Sequence, residues 1–150
     1  MSNNTALLST VPFSSFSQWD VKQFFFAKIP SKYPVEELGK HLIHQTEKIQ
    51  LSDEPTKEFT ILGVSNKIGM FDASTEKGTK IKQKYHVVKD NWLAYNPYRI
   101  NVGSIGIKTP NLKGRYISPA YVVFSCKDTI LPEYLWLMMK SDSFNKLIKD

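Results

Sequence analysis

The sequence predicts an α+β fold: a single domain with a twisted, mostly antiparallel sheet in the middle and short helices before and after it. Its 150 residues, 41% of them hydrophobic, suffice to bury one core. Between residues 59 and 125, short apolar runs alternate with Gly, Asn, Asp and Pro, which is typical of short strands joined by turns. On both sides of this region, apolar residues recur at helical spacing.

The N-terminal part is expected to be a lead-in followed by one helix. Residues 1–18 are rich in Ser, Thr and Asn and predict a loosely ordered segment, so the domain itself is expected to span 19–150. Pro34 suits a first helical turn, and Leu38, Leu42 and Ile43 follow at helical spacing. This helix is expected to end before residue 51.

The middle of the chain predicts six strands, near residues 59–64, 68–71, 85–88, 92–95, 104–107 and 121–125. Most are short enough to form antiparallel pairs. The segment Ser74–Lys84 is almost entirely polar and carries four lysines, so we expect an exposed loop or a strand edge there.

Two short helices are predicted to close the domain. Pro132 suits the first turn of one helix, and Ser141-Asp142 suits the start of the next, which holds Phe144. The apolar face of the first is expected to consist of Leu135, Leu137, Met138 and Met139.

Positive charge is concentrated in the middle of the chain. The net charge is +6, but residues 61–115 hold ten Lys and Arg against three acids, whereas the flanking regions are nearly balanced. Such a concentration attracts polyanions, because each cation that neutralises a phosphate releases a condensed counterion. The alternative is an ordinary solvated surface, which charge alone does not distinguish.

The residues do not predict a catalytic centre. Asn96-Pro97-Tyr98-Arg99 lacks the second proline of the amino-methyltransferase motif, and no glycine-rich loop follows a strand to seat a methyl donor. Nuclease chemistry needs paired carboxylates and a lysine around a metal ion, but Asp20-Val21-Lys22 has no preceding acid to complete such a site. We therefore expect a protein that is not an enzyme and needs no cofactor.

A metal site or a reactive thiol is equally unexpected. His41, His44 and Glu47 have a spacing that could bind metal on a helix, but a solvent-facing polar strip explains them better. Cys126 has no general base nearby and fits a small buried hydrophobe. A lone cysteine, together with the lack of a long apolar run or a signal peptide, favours the cytoplasm and no membrane partner.

One continuous string carries a family resemblance: NWLAYNPYRINVGSIGIKTPNLKGRYISPAYVVFS, residues 91–125. Its aromatic-Asn-Pro segment, its Arg-x-Asn-x-Gly-Ser-Ile-Gly turn and its Ser-Pro-x-Tyr-x-Val-Phe strand occur in that order. This arrangement resembles the target recognition domains of type I restriction-modification specificity subunits and of related type IIG and IIB enzymes. Weaker similarity extends over most of residues 33–148.

The resemblance implies a non-catalytic module that recognises one half of a bipartite site on double-stranded DNA. It implies methyltransferase and restriction subunits as partners, and possibly a second recognition domain, since specificity subunits normally carry two with long spacer helices. We expect this chain to be a half-subunit or a fragment. Two alternatives remain open: the recognition domain of a fused type IIG or IIB enzyme, and a basic protein-interaction module without a DNA role.

The candidate DNA contacts are mostly the cations of the middle region: Lys67, Lys77, Lys80, Lys82, Lys84, Arg99, Lys108, Lys113, Arg115 and, as an aromatic, Tyr116. Arginine can pair bidentately with guanine, while lysine mainly contacts phosphate. For Arg99 we favour a structural role through a carboxylate, and for the Ser74–Lys84 segment we favour DNA contact. Tyr98 and Tyr116 fit stacking or core packing equally well. Gly103 is expected to need a positive φ.

Overall fold

The computed structural model describes residues 32–149. All regular elements among these residues lie in one compact unit, Glu37–Asp150, and residues 32–36, which form no helix or strand, belong to a second unit, Met1–Glu36. The expected lead-in over residues 1–18 and the start of the domain at residue 19 lie outside the described residues.

Within residues 32–149 the chain forms nine strands, two α-helices and four short 3₁₀ turns. The strands are β1 Leu42–Gln45, β2 Lys48–Gln50, β3 Glu58–Ser65, β4 Gly69–Lys77, β5 Lys84–Val87, β6 Leu93–Tyr95, β7 Ile105–Ile107, β8 Tyr116–Ile117 and β9 Val122–Cys126. The helices are α1 Pro132–Lys140 and α2 Asp142–Lys149. The 3₁₀ turns are Leu38–His41, Leu51–Asp53, Gly78–Lys80 and Ile100–Val102.

The strands form two sheets instead of the one expected. A four-stranded sheet has the order β1-β9-β6-β7, and a five-stranded sheet has the order β2-β5-β8-β3-β4. All pairs are antiparallel except β3 with β8, where Ile61 lies beside Tyr116 and Leu62 beside Ile117. The α+β class with mostly antiparallel strands is therefore confirmed.

Three apolar clusters hold these layers together. The first draws on both sheets: Leu62, Val64, Met70, Val88, Ala94, Ile117 and Val123. The second lies between the four-stranded sheet and the helices: Leu93, Ile105, Ile107, Phe124, Leu135 and Met139. The third covers the other face of the five-stranded sheet: Leu51, Phe59, Ile61 and Ile81.

Close approach of the two sheets depends on Gly106 in β7. A Cβ atom there would lie 2.2 Å from the backbone nitrogen of Met70 and 2.8 Å from its Cα. Only glycine leaves room for the two backbones to touch at this point.

The prediction of a helix after Pro34 is wrong. Residues 38–41 form a 3₁₀ turn, and the chain continues as β1, which pairs antiparallel with β9 from Leu42↔Cys126 to Gln45↔Val123. Leu42 packs against the second cluster, while Ile43 remains 45% exposed. Pairing with β9 satisfies backbone groups that would otherwise lie at a sheet edge, and this tertiary gain overrides a weak helical pattern.

The two C-terminal helices are confirmed, with one correction. Pro132 occupies the first turn of α1, and the Ser141 hydroxyl accepts a bond from the amide of Phe144 (3.2 Å) at the start of α2. α1 buries Leu135 and Met139, one turn apart, but Leu137 is 61% exposed because it lies about 200° around the helix from Leu135. Neither helix has the length or the apolar composition to cross a membrane, and the described part of the chain contains no other α-helix.

Five of the six strand predictions agree with the structure to within one residue at each end, and the sixth strand is longer than predicted. β4 was expected over residues 68–71 but continues to Lys77, so the first four of the eleven residues in the polar segment Ser74–Lys84 belong to the edge strand of the five-stranded sheet. β1, β2 and β8 were not predicted. β8 is two residues long and exists only because β3 and β5 pair with it from either side.

Candidate nucleic-acid interface

The candidate interface is centred on the loop that joins β7 to β8, residues 108–115, which begins at a buried lysine. The Lys108 side chain is 5% exposed, and its Nζ lies 2.5 Å from Asp90 Oδ1. Nζ also lies 3.4 Å from the carbonyl oxygen of Leu112, farther along the loop. Lys108 therefore anchors the loop from inside, and we leave it out of the proposed DNA contacts.

The tip of this loop is fixed to the five-stranded sheet. The carboxylate of Asp72, in β4, accepts one bond from the amide of Lys113 (3.1 Å) and one from the amide of Gly114 (2.9 Å). A Cβ atom on Gly114 would lie 2.8 Å from Leu62 Cδ2, so the backbone rests directly on the sheet. Beyond the tip, the Arg115 carbonyl accepts a bond from the amide of Val88 (2.8 Å).

Lys113 and Arg115 are exposed on this loop and lie between two depressions. One depression has a volume of about 490 Å³ and is lined by Val87–Asp90, Lys108, Pro110, Leu112, Lys113 and Arg115. The other, of about 290 Å³, is lined by Lys57–Thr60, Lys113, Arg115 and Tyr116. The lining of the two depressions includes five cations and two acids, Asp90 and Glu58. Three of the cations, Lys57, Lys89 and Lys108, are paired with acids, so the excess positive charge comes from Lys113 and Arg115.

Two further lysines, Lys57 and Lys89, lie at the outer walls of the depressions and, unlike Lys113 and Arg115, are paired with acids. Lys57 pairs with Glu54 at 2.8 Å and lies 5.3 Å from the ring centre of Phe59. Lys89 pairs with Glu47 at 3.5 Å and lies 5.1 Å from the ring of Trp92. By contrast, no ion pair of Lys113 or Arg115 occurs within residues 32–149, so their charge is available to a ligand.

Sequence reasoning missed Lys57 because it lies in the acidic first part of the chain. It reaches the interface through β3, whose parallel pairing with β8 brings residue 60 to the level of residue 115. The signal that could have found it is local: a lysine two residues before Phe59, at the start of a strand that alternates polar and apolar residues.

The lysines of Ser74–Lys84 form a second group. Lys77 ends β4 beside Glu58, so it adjoins the smaller depression. Lys80, Lys82 and Lys84 are exposed as expected, although Lys80 lies 3.7 Å from Glu76. Between them, Ile81 is 4% exposed and packs in the third cluster.

The segment around Ile81 lies on the face of the five-stranded sheet that carries the third cluster, where Phe59 and Tyr116 also pack. Lys113 and Arg115 precede β8 and border the smaller depression beside Phe59 and Tyr116. Lys80, Lys82 and Lys84 line neither of the two depressions. The predicted cations thus form separate groups, and Lys113 and Arg115 are the two that border both depressions.

Lys67 and Arg99 are remote from both groups. Lys67 lies in the turn after β3, at the end opposite Lys57, and the eight residues of β3 span about 23 Å. Arg99 lines a separate small depression, of about 90 Å³, with Asn66 and Ser104. Its expected carboxylate partner is not found among the residues that the structure describes.

The Asn-Pro-Tyr-Arg segment forms a turn. Asn96 Oδ1 accepts a bond from the amide of Tyr98 (2.9 Å), and Gly103 has φ +76°, as expected. Tyr98 is 84% exposed, which excludes core packing for it. Tyr116 instead makes an edge contact with Phe59, with ring centres 5.6 Å apart, and is half-buried.

The residues with a metal-like spacing do not meet. His41 Nδ1 lies 2.8 Å from the Thr129 hydroxyl, His44 is in β1, and Glu47 pairs with Lys89. Within residues 32–149, no three His, Cys, Asp or Glu side chains are grouped so that they could hold a metal ion. Burial raises the pKa of the half-buried Cys126 thiol, which favours its protonated form.

Two solved structures are similar to this chain in fold. One is a chain from a study of complex assembly and conformational transition of the type I R-M system, with TM-score 0.58 and 20% identity over 75% of this chain and 31% of that one. The other is the HsdS subunit from Thermoanaerobacter tengcongensis, with TM-score 0.58 and 20% identity over 70% of this chain and 28% of that one. The fold of this chain is therefore similar to that of a part of each of these two solved chains.

This likeness confirms the fold that the motifs of residues 91–125 implied. The chain spans less than a third of the length of either of these two solved chains. No protein-family model matches the chain, and no curated protein matches its sequence.

Proposed function

We propose that this chain recognises the sequence of double-stranded DNA as a target recognition domain of a type I restriction-modification specificity subunit. It reads one half of a bipartite target in the cytoplasm. The observation that carries the proposal is the exposed pair Lys113 and Arg115, free of ion pairs with the described residues, on a loop fixed between two depressions. The likeness in fold to an HsdS subunit supports it.

The two cations suit different parts of the contact. The Arg115 guanidinium can donate two parallel bonds to the N7 and O6 atoms of a guanine in the major groove. Lys113, with Lys57 and Lys77 beside it, suits the phosphate backbone, which holds the protein in register without reading sequence. Tyr116 supports this surface from below through its contact with Phe59.

The role is non-catalytic. In the proposed complex the chain directs methyltransferase and restriction subunits to the site, and base flipping and methyl transfer occur on the methyltransferase subunit. A second recognition domain reads the other half of the target.

A selection from a random duplex library with the purified chain tests this proposal. We expect enrichment of one short continuous sequence, corresponding to a half-site. Binding at low salt without enrichment would contradict sequence recognition. No binding at any salt concentration would instead favour the protein-interaction module.

A further inference from the structure

We propose that Asp72 is a positioning residue of the DNA interface, whose carboxylate holds Lys113 and Arg115 in the arrangement that reads the target. The proposal rests on the proposed function above. Asp72 lies in β4, the edge strand of the five-stranded sheet, opposite Leu62 of β3. Its two oxygens accept bonds from two successive amides, Oδ2 from Lys113 and Oδ1 from Gly114, at 3.1 and 2.9 Å.

These bonds connect the loop tip to the sheet. Within the loop, the amide of Leu112 donates to the carbonyl of Thr109 (3.1 Å), which closes a local turn, and Lys108 Nζ lies 3.4 Å from the Leu112 carbonyl. The anchors on either side are Lys108 at the start and the Arg115 carbonyl at the end. Between these anchors, the Asp72 carboxylate is the side chain that fixes the backbone of the tip to β4.

The contact is also geometrically demanding. The Gly114 backbone lies against Leu62, where a Cβ atom would be 2.8 Å from Cδ2 and 3.0 Å from Asp72 Oδ1. The tip therefore fits one position, in which Lys113 and Arg115 both border the two depressions. A preorganised loop binds more tightly than a mobile one, because the entropy cost of ordering the loop does not reduce the free energy of binding.

A positioning role and a purely electrostatic role for Asp72 predict different effects on DNA binding. A carboxylate beside cations weakens the attraction of a polyanion, so its removal should raise affinity for any DNA. If Asp72 positions the loop, its removal should instead lower affinity for the target sequence. The two roles thus predict effects of opposite sign on the same duplex.

The test compares Asp72→Ala and Asp72→Asn with Glu58→Ala in the full chain. Glu58 is a matched control, because it is an exposed acid at the same surface whose carboxylate accepts no hydrogen bond from a side chain or loop amide among the described residues. Asparagine removes the charge but keeps one acceptor oxygen, so Asp72→Asn separates charge from positioning. The probes are the selected duplex and a scrambled duplex of equal length.

We expect Asp72→Ala to weaken binding of the selected duplex about tenfold, within the range of losing one base contact. Affinity for the scrambled duplex should rise slightly, to about the same extent as in Glu58→Ala, because non-specific binding depends on charge and both variants lose one carboxylate. Asp72→Asn should bind the selected duplex with an affinity between those of wild type and Asp72→Ala. Glu58→Ala should leave the ratio of the affinities for the selected and scrambled duplexes unchanged. An equal rise in affinity for both duplexes with Asp72→Ala and Glu58→Ala would overturn the proposal.

A second measurement needs no DNA. Amide hydrogen exchange of Lys113 and Gly114 in the free chain should be faster in Asp72→Ala by about tenfold or more, and unchanged in Glu58→Ala. Unaltered exchange in Asp72→Ala would overturn the positioning role. If wild type binds neither duplex, the proposed function fails; if wild type discriminates and Asp72→Ala discriminates equally, only the role of Asp72 fails.

Discussion

Lys108 and Asp90 form an ion pair of very unequal exposure: 5% of the lysine side chain is accessible to solvent, against 54% of the aspartate. The buried ammonium depends on a partner that water can also reach. Removing the aspartate and removing the lysine should therefore lower the free energy of unfolding by different amounts, since only the aspartate is solvated when its partner is absent.

The pair predicts unequal effects of two substitutions on stability. Asp90→Ala leaves the buried ammonium with only the Leu112 carbonyl nearby, so we expect a loss of about 1–3 kcal/mol in the free energy of unfolding. Lys108→Met removes the buried charge, leaves Asp90 in water and should cost less. Urea denaturation measures both, and a larger loss for Lys108→Met would contradict this role for the pair.

Two glycines provide a matched test of packing between the sheets. Gly106→Ala places a Cβ atom 2.2 Å from the Met70 backbone nitrogen, which cannot move without breaking the contact of β4 with β7. We expect a loss of about 3 kcal/mol or more. At Gly39 no atom lies within 4 Å of the added Cβ, so Gly39→Ala should lie within about 0.5 kcal/mol of wild type in the same denaturation experiment. Similar stabilities for the two variants would show that the sheets do not meet at Gly106.

Burial of His86 predicts that stability falls in mild acid. Its pKa is lowered by burial and further by the nearby Lys48 and His44, while the Glu47 backbone carbonyl opposes the shift. A group whose pKa is lower in the folded than in the unfolded chain stabilises the fold above its unfolded value, near 6.5, and loses this contribution as pH falls through the folded value.

We therefore expect the free energy of unfolding to decrease from pH 7 to pH 5, and His86→Leu to reduce this decrease. At pH 7 the variant should fold well, because the ring's Nδ1 has no hydrogen-bond partner among the described residues. An identical pH dependence in His86→Leu would assign the acid sensitivity to other groups.

The division of the predicted cations into separate groups predicts which lysines matter for DNA. Lys80→Ala, Lys82→Ala and Lys84→Ala together remove three charges from the segment that includes Ile81. Because these lysines line neither depression, whereas Lys113 and Arg115 border both, we expect this triple variant to weaken DNA binding less than Lys113→Ala with Arg115→Ala. Fluorescence anisotropy at a single salt concentration ranks the two, and the reverse order would move the interface to the lysine-rich segment.

The sequence predicted those features that depend on nearby residues. Pro132 and Ser141 mark the starts of α1 and α2 through their own backbone chemistry, and Gly103 adopts the expected positive φ. β1 was not predicted, because Leu42–Gln45 forms a strand only by pairing with β9, which lies far along the chain.

The interface was predictable in composition but not in arrangement. Lys113 and Arg115 were identified as cations, but their combination with Lys57 follows from the parallel pairing of β3 with β8, which no local pattern encodes. Lys108 shows the converse case, since its charge counts toward the basic region although its side chain is buried with Asp90.

The most direct test of the central claim is the salt dependence of duplex DNA binding by wild type and by Lys113→Ala with Arg115→Ala. If these cations displace the counterions of DNA phosphates, log affinity should fall linearly with log salt concentration. The slope in the double variant should then be smaller by about 0.9, for the phosphate contact of Lys113, because a guanine contact by Arg115 neutralises no phosphate. An affinity that ignores salt, or the same slope in both proteins, would contradict the interface described here.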